Sequence, residues 1–281
     1  MSFTTLITAD QLRAAGSGPV VIDTSFDLAD LNAGENSWRD SHVPGSRYLH
    51  LERDLSGPKT GRNGRHPLPD RAGFAATLAR CGVTPARQVV AVDRQGGMFA
   101  ARLWWLLRWM GHGNVAVLDG GIPAWTAAGG ALTGAATPSA PATPNYPERA
   151  SLVRTIAADT LLAQLGRSAL IDARAGERFR GEVEPLDPVA GHIPGALNRF
   201  FKDNLDPATG RFKTPAQLRA DFSALLGPLS AEGAVHYCGS GATACHNLLA
   251  MAYAGLAGSL LYPGSWSEWS ADPSRPVAQG A

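Results

Sequence analysis

Short apolar runs and longer helix-spaced stretches alternate along the whole chain. Val20-Val21-Ile22-Asp23, Gln88-Val89-Val90-Ala91-Val92-Asp93 and Val115-Ala116-Val117-Leu118 are continuous β-branched runs of strand length, the pattern of strands covered on both faces. Between them, residues 4–15 predict a helix that starts at Thr8 or Asp10. Pro69-Asp70 predicts a capped helix through about Arg80, ended by Cys81-Gly82. Gly96-Gly97 opens a stretch from Met98 to Met110, with Trp104, Trp105 and Trp109, that is apolar nearly all round. That predicts a buried helix. Further on, Gly233-Ala234-Val235-His236-Tyr237 predicts a buried strand, and Thr243 to Ala254 an apolar helix. Strands and helices in alternation predict an α/β fold with a mostly parallel sheet flanked by helices.

The pattern occurs twice. Val21-Ile22-Asp23 is answered by Leu170-Ile171-Asp172, and His42-Val43-Pro44-Gly45-Ser46 by His192-Ile193-Pro194-Gly195-Ala196. The stretch from Asp93 to Ala100 is answered by the one from Cys238, and Leu118-Asp119-Gly120-Gly121 by Leu261-Tyr262-Pro263-Gly264. The offsets (22 to 171, 42 to 192, 93 to 238, 118 to 261) are 149, 150, 145 and 143, in order. A drift this small over so long a period indicates a tandem duplication, not a solenoid. Residues 1–133 are expected to form one domain and 150–281 the other. Residues 134–149, with prolines at 138, 141, 144 and 147, are expected to be a semi-rigid linker.

A length of 281 residues suits two domains. Twenty-five basic against 24 acidic residues give no reason to expect nucleic acid or an anionic membrane as partner. No apolar run reaches the roughly 18–20 residues of a membrane span. The first residues lack a basic region followed by an apolar stretch, so no signal peptide is expected. Three widely spaced cysteines make no disulfide framework and fit a reducing, cytoplasmic setting.

One of those cysteines closes a strand. Cys238 is followed by the small-residue loop Gly239-Ser240-Gly241-Ala242-Thr243 and then by a helix. Such a loop can turn successive N–H groups inward at an electropositive helix mouth, where an anion on sulfur is stabilised. Gly and Ala at 239, 241 and 242 let the backbone close around a sulfur atom. A free thiol is already several per cent thiolate near neutral pH. Lowering its pKa therefore gains only about ten- to thirtyfold, part of it lost to weaker nucleophilicity. The loop's main task is expected to be orientation and charge stabilisation by fixed N–H dipoles. The thiol occurs in one copy only, because Asp93 stands opposite Cys238. One working site and one silent scaffold are expected.

Five pieces in order carry a family resemblance. They are Asp172-Ala173-Arg174, Arg178-Phe179-Arg180-Gly181, Gly191-His192-Ile193-Pro194-Gly195-Ala196, the loop from Cys238 to Ala244, and Gly264-Ser265-Trp266-Ser267-Glu268-Trp269. With the duplication, they resemble the two-domain sulfurtransferases of the rhodanese superfamily, of the 3-mercaptopyruvate and thiosulfate types. The resemblance implies tandem rhodanese-like domains and a double displacement. The Cys238 thiolate takes a sulfur from an anionic donor as a persulfide. Cyanide, a small thiol or a thioredoxin-like protein then removes it, with no metal or organic cofactor. Arg178 is the implied donor clamp, with Arg180 as second candidate; a guanidinium fork suits a carboxylate or sulfonate. Gly239, Gly241, Ala242 and Thr243 are the implied donor-binding loop.

Gly239-Ser240 stands where thiosulfate-type members carry Arg-Lys, which favours a monoanion such as 3-mercaptopyruvate over thiosulfate. Mercaptopyruvate-type members link a serine here to a histidine and an acid of the first domain. Ser240 and His66 match the serine and the histidine, and Glu52 or Asp54 the acid. The second arginine of that type, before Gly191-His192, is missing: the segment reads Glu182-Val183-Glu184-Pro185-Leu186-Asp187-Pro188-Val189-Ala190. Asp172 and Arg174 are expected to pair under the loop.

Other candidates have plainer readings. Cys81 is expected to be structural and Cys245 a small buried hydrophobe, near enough to trap an oxidised Cys238. Cys238, Cys245 and His246 fit no zinc spacing. His42 and His192 are expected to be hydrogen-bonded turn residues, Glu268 an anchor, and His236 is given no role. A cysteine phosphatase would need an arginine where Ala244 stands. A non-enzymatic binding or sensor protein would not need the intact Cys238 loop.

Overall fold

The computed structural model describes residues 2–139, 144 and 146–280. Residues 140–143 and 145, in the expected linker, lie outside the described residues. The chain forms two compact units. The first holds residues 1–57, 69–152 and 207–212; the second holds 58–68, 153–206 and 213–281. Neither is an uninterrupted half of the chain. The segment 58–68, which the sequence assigns to the first domain, packs in the second unit.

In the first unit the order is β1 (Leu6–Ile7), α1 (Ala9–Ala15), β2 (Val20–Asp23), α2 (Ala33–Asp40), β3 (Arg47–Tyr48), α3 (Arg71–Arg80), β4 (Val89–Val92), α4 (Ala100–Trp109), β5 (Val115–Leu118) and α5 (Gly121–Ala127). The sheet runs β1-β5-β4-β2-β3, with each pair parallel. Both predicted helix starts are capped. Thr8, rather than Asp10, caps α1 in a reciprocal box with Gln11, and Asp70 caps α3 by accepting the Gly73 N–H at 2.7 Å. β2, β4 and β5 are buried along their whole length, which explains why they lack alternation. Helix α4 is as buried as its composition predicts but starts at Ala100, not Met98. Residues 94–99 are drawn instead onto the Asp93 carboxylate. β5 leads through Asp119-Gly120 directly into α5.

The second unit repeats the plan with β6 (Arg154–Thr155), α6 (Ala158–Ala163), β7 (Leu170–Asp172), α7 (Gly176–Phe179), β8 (Leu197–Asn198), α8 (Pro215–Leu226), β9 (Val235–Tyr237), α9 (Ala244–Tyr253), β10 (Leu260–Leu261) and α10 (Ser265–Trp269). Its sheet order, β6-β10-β9-β7-β8, is that of the first, again all parallel. Ile171, Val235, Tyr237, Tyr262, Trp266 and Trp269 are buried beside it. β9 is the central strand. Its carboxyl end, where open parallel sheets place their ligands, leads directly into Cys238.

Candidate active site

Cys238 is held by the residues that open α10. Its N–H donates to Ser265 Oγ at 3.1 Å. Its carbonyl accepts the Trp266 N–H at 3.0 Å, and the next carbonyl, of Gly239, accepts the Ser267 N–H at 2.9 Å. The start of α10 thus clamps the loop. Ser265 does so from a left-handed backbone (φ 56°), unique among described non-glycine residues, a conformation that costs roughly 1–3 kcal/mol. The Gly241 N–H points at Cys238 Sγ, 3.1 Å away. Gly241 has φ +81°, and a β-carbon there would lie 2.3 Å from the Pro263 carbonyl oxygen; only glycine fits. Ala242 is buried. Thr243 takes the N-cap position of α9 without a side-chain cap bond.

In the first unit the equivalent loop closes on a carboxylate. The Asp93 carboxylate accepts four backbone N–H groups: Gln95 (2.9 Å) and Gly97 (2.8 Å) on Oδ1, Phe99 (2.8 Å) and Ala100 (2.9 Å) on Oδ2. By the 145-residue offset, the corresponding residues are Ser240, Ala242, Ala244 and Cys245. An internal carboxylate therefore fills an N–H cradle in one copy. The other copy has a thiol at its root.

Ser240 and His66 meet: Ser240 Oγ lies 2.7 Å from His66 Nδ1, both side chains buried. Of the two candidate acids, Asp54 accepts the His50 N–H at 2.9 Å and pairs with Arg80 at 3.0 Å within the first unit. Glu52 also belongs to the first unit.

Two guanidinium groups converge over Gly239. A β-carbon there would stand 2.9 Å from Arg65 Nη2 and 3.5 Å from Arg178 Nη1, so glycine keeps this space open. Arg178 is bonded to Glu184 Oε1 at 2.6 Å. Arg65 is bonded to Asp187 through Nη1, and its backbone N–H donates to Ser267 Oγ at 3.0 Å. Arg65 was not a sequence candidate, although it adjoins His66 in the segment that packs in this unit. Arg180 is placed elsewhere. Its side chain is 43% exposed and paired with Glu182 at 2.7 Å, and it is absent from the contacts of Gly239. The short helix α7 ends between the two arginines and turns them apart.

Beneath the loop, Asp172 and Arg174 form the expected buried pair at 2.6 Å. Arg174 also reaches Glu184 at 3.2 Å and the Gly191 carbonyl at 2.7 Å, and stacks 4.8 Å over Trp266. The Cys245 thiol donates to the Gly241 carbonyl at 3.3 Å. Burial pushes the Cys81 thiol up to about 11, which makes it inert. His42 and His192 bond the Trp38 and Phe179 carbonyls at 2.7 and 2.8 Å. Among the described residues, no group of three or more His, Cys, Asp or Glu could hold a metal, and no helix is long and apolar enough to cross a membrane.

This duplicated α/β unit with a cysteine at a central strand end matches the model of the rhodanese-like domain at residues 8–128 and again at 157–272. The chain belongs to the rhodanese-like family. It is 51% identical, over 286 residues and the full length of both chains, to a protein of Pseudomonas aeruginosa named "Probable 3-mercaptopyruvate sulfurtransferase". It is 33% identical over 287 residues to the thiosulfate sulfurtransferase of Bos taurus, covering 97% of this chain and 93% of that one. Among solved structures, SseA from Escherichia coli, described as a 3-mercaptopyruvate sulfotransferase, superposes with a TM-score of 0.76 at 30% identity, over 94% of this chain and 99% of that one.

Proposed function

We propose that this protein is a sulfurtransferase that moves a sulfane sulfur from an anionic donor, 3-mercaptopyruvate favoured, to a thiol or cyanide acceptor through a persulfide on Cys238. The observation that carries this is the Gly241 N–H directed at Cys238 Sγ from 3.1 Å, in a loop whose sister copy closes on a carboxylate. In the first half-reaction the thiolate attacks the donor sulfur and a sulfur–sulfur bond forms. The carbon–sulfur bond breaks, and its electron pair leaves as the enolate of pyruvate. Protonation at carbon completes the step. Ser240, oriented by His66, is the loop hydroxyl that relays that proton. Arg65 and Arg178 take the donor carboxylate, and Gly239 leaves it room. In the second half-reaction the acceptor attacks the outer sulfur and the Cys238 thiolate leaves.

Thiosulfate is the second reading, favoured by the name of the bovine relative. Its outer sulfur transfers with sulfite as leaving group, and no carbon needs a proton. The neutral Gly239-Ser240 pair and the Ser240–His66 bond support mercaptopyruvate. Three cysteines free of disulfides support a reducing, cytoplasmic setting and a small thiol or thioredoxin-like acceptor. We assign catalysis to residues 150–281 with the segment 58–68, and a scaffold role to the Asp93 copy before the linker at 134–149.

The test is incubation with each donor and no acceptor, followed by mass spectrometry of the intact chain and its peptides. One added sulfur on Cys238, discharged by cyanide and absent from Cys238→Ala, is expected. Sulfur on Cys81 or Cys245, or turnover by Cys238→Ala at the wild-type rate, would overturn the assignment.

A further inference from the structure

The two arginines over Gly239 do not face the donor space unopposed. Arg65 Nη1 bonds Asp187 Oδ1, and Arg178 Nη2 stands 3.6 Å from Asp187 Oδ2. Asp187 is 3% exposed, and burial pushes its carboxyl above the usual range against the pull of Arg65. Its Oδ2 has no hydrogen-bond partner, and neither does the buried Nε of Arg178. A carboxylate placed only to brace an arginine would engage both oxygens. This one binds Arg65 by one oxygen and leaves the other beside Arg178 unbonded. The linked charges balance. Arg65, Arg174 and Arg178 give three positive charges, and Asp172, Glu184 and Asp187 three negative, all joined by the ion pairs above. The site for an anion is thus neutral before the anion arrives.

We propose that Asp187 is the internal counter-anion of the donor site and sets its preference for a singly charged donor. It shares both guanidinium groups with the incoming carboxylate. One negative charge can be accommodated; a second meets Asp187 unscreened. This rests on the reading of Arg65 and Arg178 as the donor clamp. The alternative role, a brace that merely holds the two arginines, makes a different forecast. Loss of a brace weakens every donor alike. Loss of a counter-anion favours donors in proportion to their charge, because the Coulomb term is linear in it. Any gain for a monoanion is then squared for a dianion.

The experiment compares wild type, Asp187→Asn and Asp187→Glu in single-turnover charging of Cys238 by 3-mercaptopyruvate and by thiosulfate. For Asp187→Asn, a fall in the half-saturating donor concentration of about threefold for mercaptopyruvate and about tenfold for thiosulfate is expected, with the limiting charging rate changed by less than about twofold. Asp187→Glu should restore the wild-type ratio of the two donors. Equal weakening of both donors, or an unchanged ratio, would overturn the proposal. A measurement on wild type alone guards against a variant that fails to fold. Pyruvate and sulfate are compared as competitive inhibitors, and sulfate should bind no tighter than pyruvate. Tighter binding of sulfate by tenfold or more would also overturn it. If wild type accepts sulfur from neither donor, the functional reading fails instead, and the two failures are thereby separate.

Discussion

His66 Nδ1 lies 2.7 Å from Ser240 Oγ, although 174 residues separate them in the chain. The bond fixes a hydroxyl two residues beyond Cys238. Its use differs between donors: mercaptopyruvate leaves an enolate that needs a proton, whereas sulfite leaves thiosulfate as a stable anion. Ser240→Ala and His66→Gln are each expected to slow sulfur transfer from mercaptopyruvate by about 10²-fold, the lower end for a positioned proton donor. Transfer from thiosulfate should change by less than about threefold. Rapid-mixing measurement of the first half-reaction with each donor gives the ratio, and equal losses would remove the serine from the proton path.

Arg65 and Arg178 should behave as a pair and Arg180 as a bystander. Arg65→Met and Arg178→Met are each expected to raise the KM for mercaptopyruvate about tenfold or more, with smaller effects on kcat. A lost charge-assisted bond is worth about 1.5–3 kcal/mol. The double variant should lose less than the sum, since both forks hold one carboxylate. Arg180→Ala should stay within about twofold, because an exposed ion pair contributes little. Steady-state kinetics of the four variants check this; a large effect at Arg180 alone would move the clamp to Arg180, the second candidate of the sequence motif.

The contrast shows what the sequence could carry. β-branched continuity marked β2, β4 and β5 directly, and an apolar run closed by a cysteine marked β9. The duplication exposed Asp93 and Cys238 as alternatives at one position. Arg65 left no such trace. It lies in a loop of Gly, Pro, Arg and Asn, and its role arises because residues 58–68 pack in the second unit. Arg178 and Arg180 stand in one short motif, but α7 is four residues long and they take different partners, Glu184 and Glu182, which the motif alone does not show. Ser265 was legible as part of a motif, but its left-handed backbone and bond to the Cys238 N–H depend on the turn after β10.

Asp93 predicts a stability effect without a catalytic one. Its two carboxylate oxygens together accept four N–H groups, and it is fully buried. An amide in its place keeps one oxygen and turns an NH₂ group toward two of those donors. Asp93→Asn should therefore cost about 2–4 kcal/mol, from two buried donors left unmet. Urea unfolding followed by tryptophan fluorescence measures it. Charging of Cys238 in the folded fraction should stay near the wild-type rate, since Asp93 and Cys238 lie in different units.

His236 predicts a pH effect on stability. It is fully buried on β9, with Nε2 3.0 Å from Met251 Sδ and no hydrogen-bond partner at Nδ1. Burial alone lowers its pKa from 6.5 to about 3. Above pH 6.5 the ring is neutral in the folded and the unfolded chain, and its contribution is fully present. As pH falls below that value, the unfolded chain takes up a proton that the folded one refuses. Stability should then drop by roughly 1.4 kcal/mol per pH unit, a loss that continues until about pH 3. Between about pH 6.5 and 5 most carboxylates stay ionised; His112, also lowered by burial, titrates there in both proteins, so the difference between wild type and variant reports this ring. His236→Leu, which keeps the volume and removes the titration, should flatten the stability profile in that window. Urea midpoints at closely spaced pH values decide it: parallel profiles for wild type and variant would show that His236 is protonated in the folded protein.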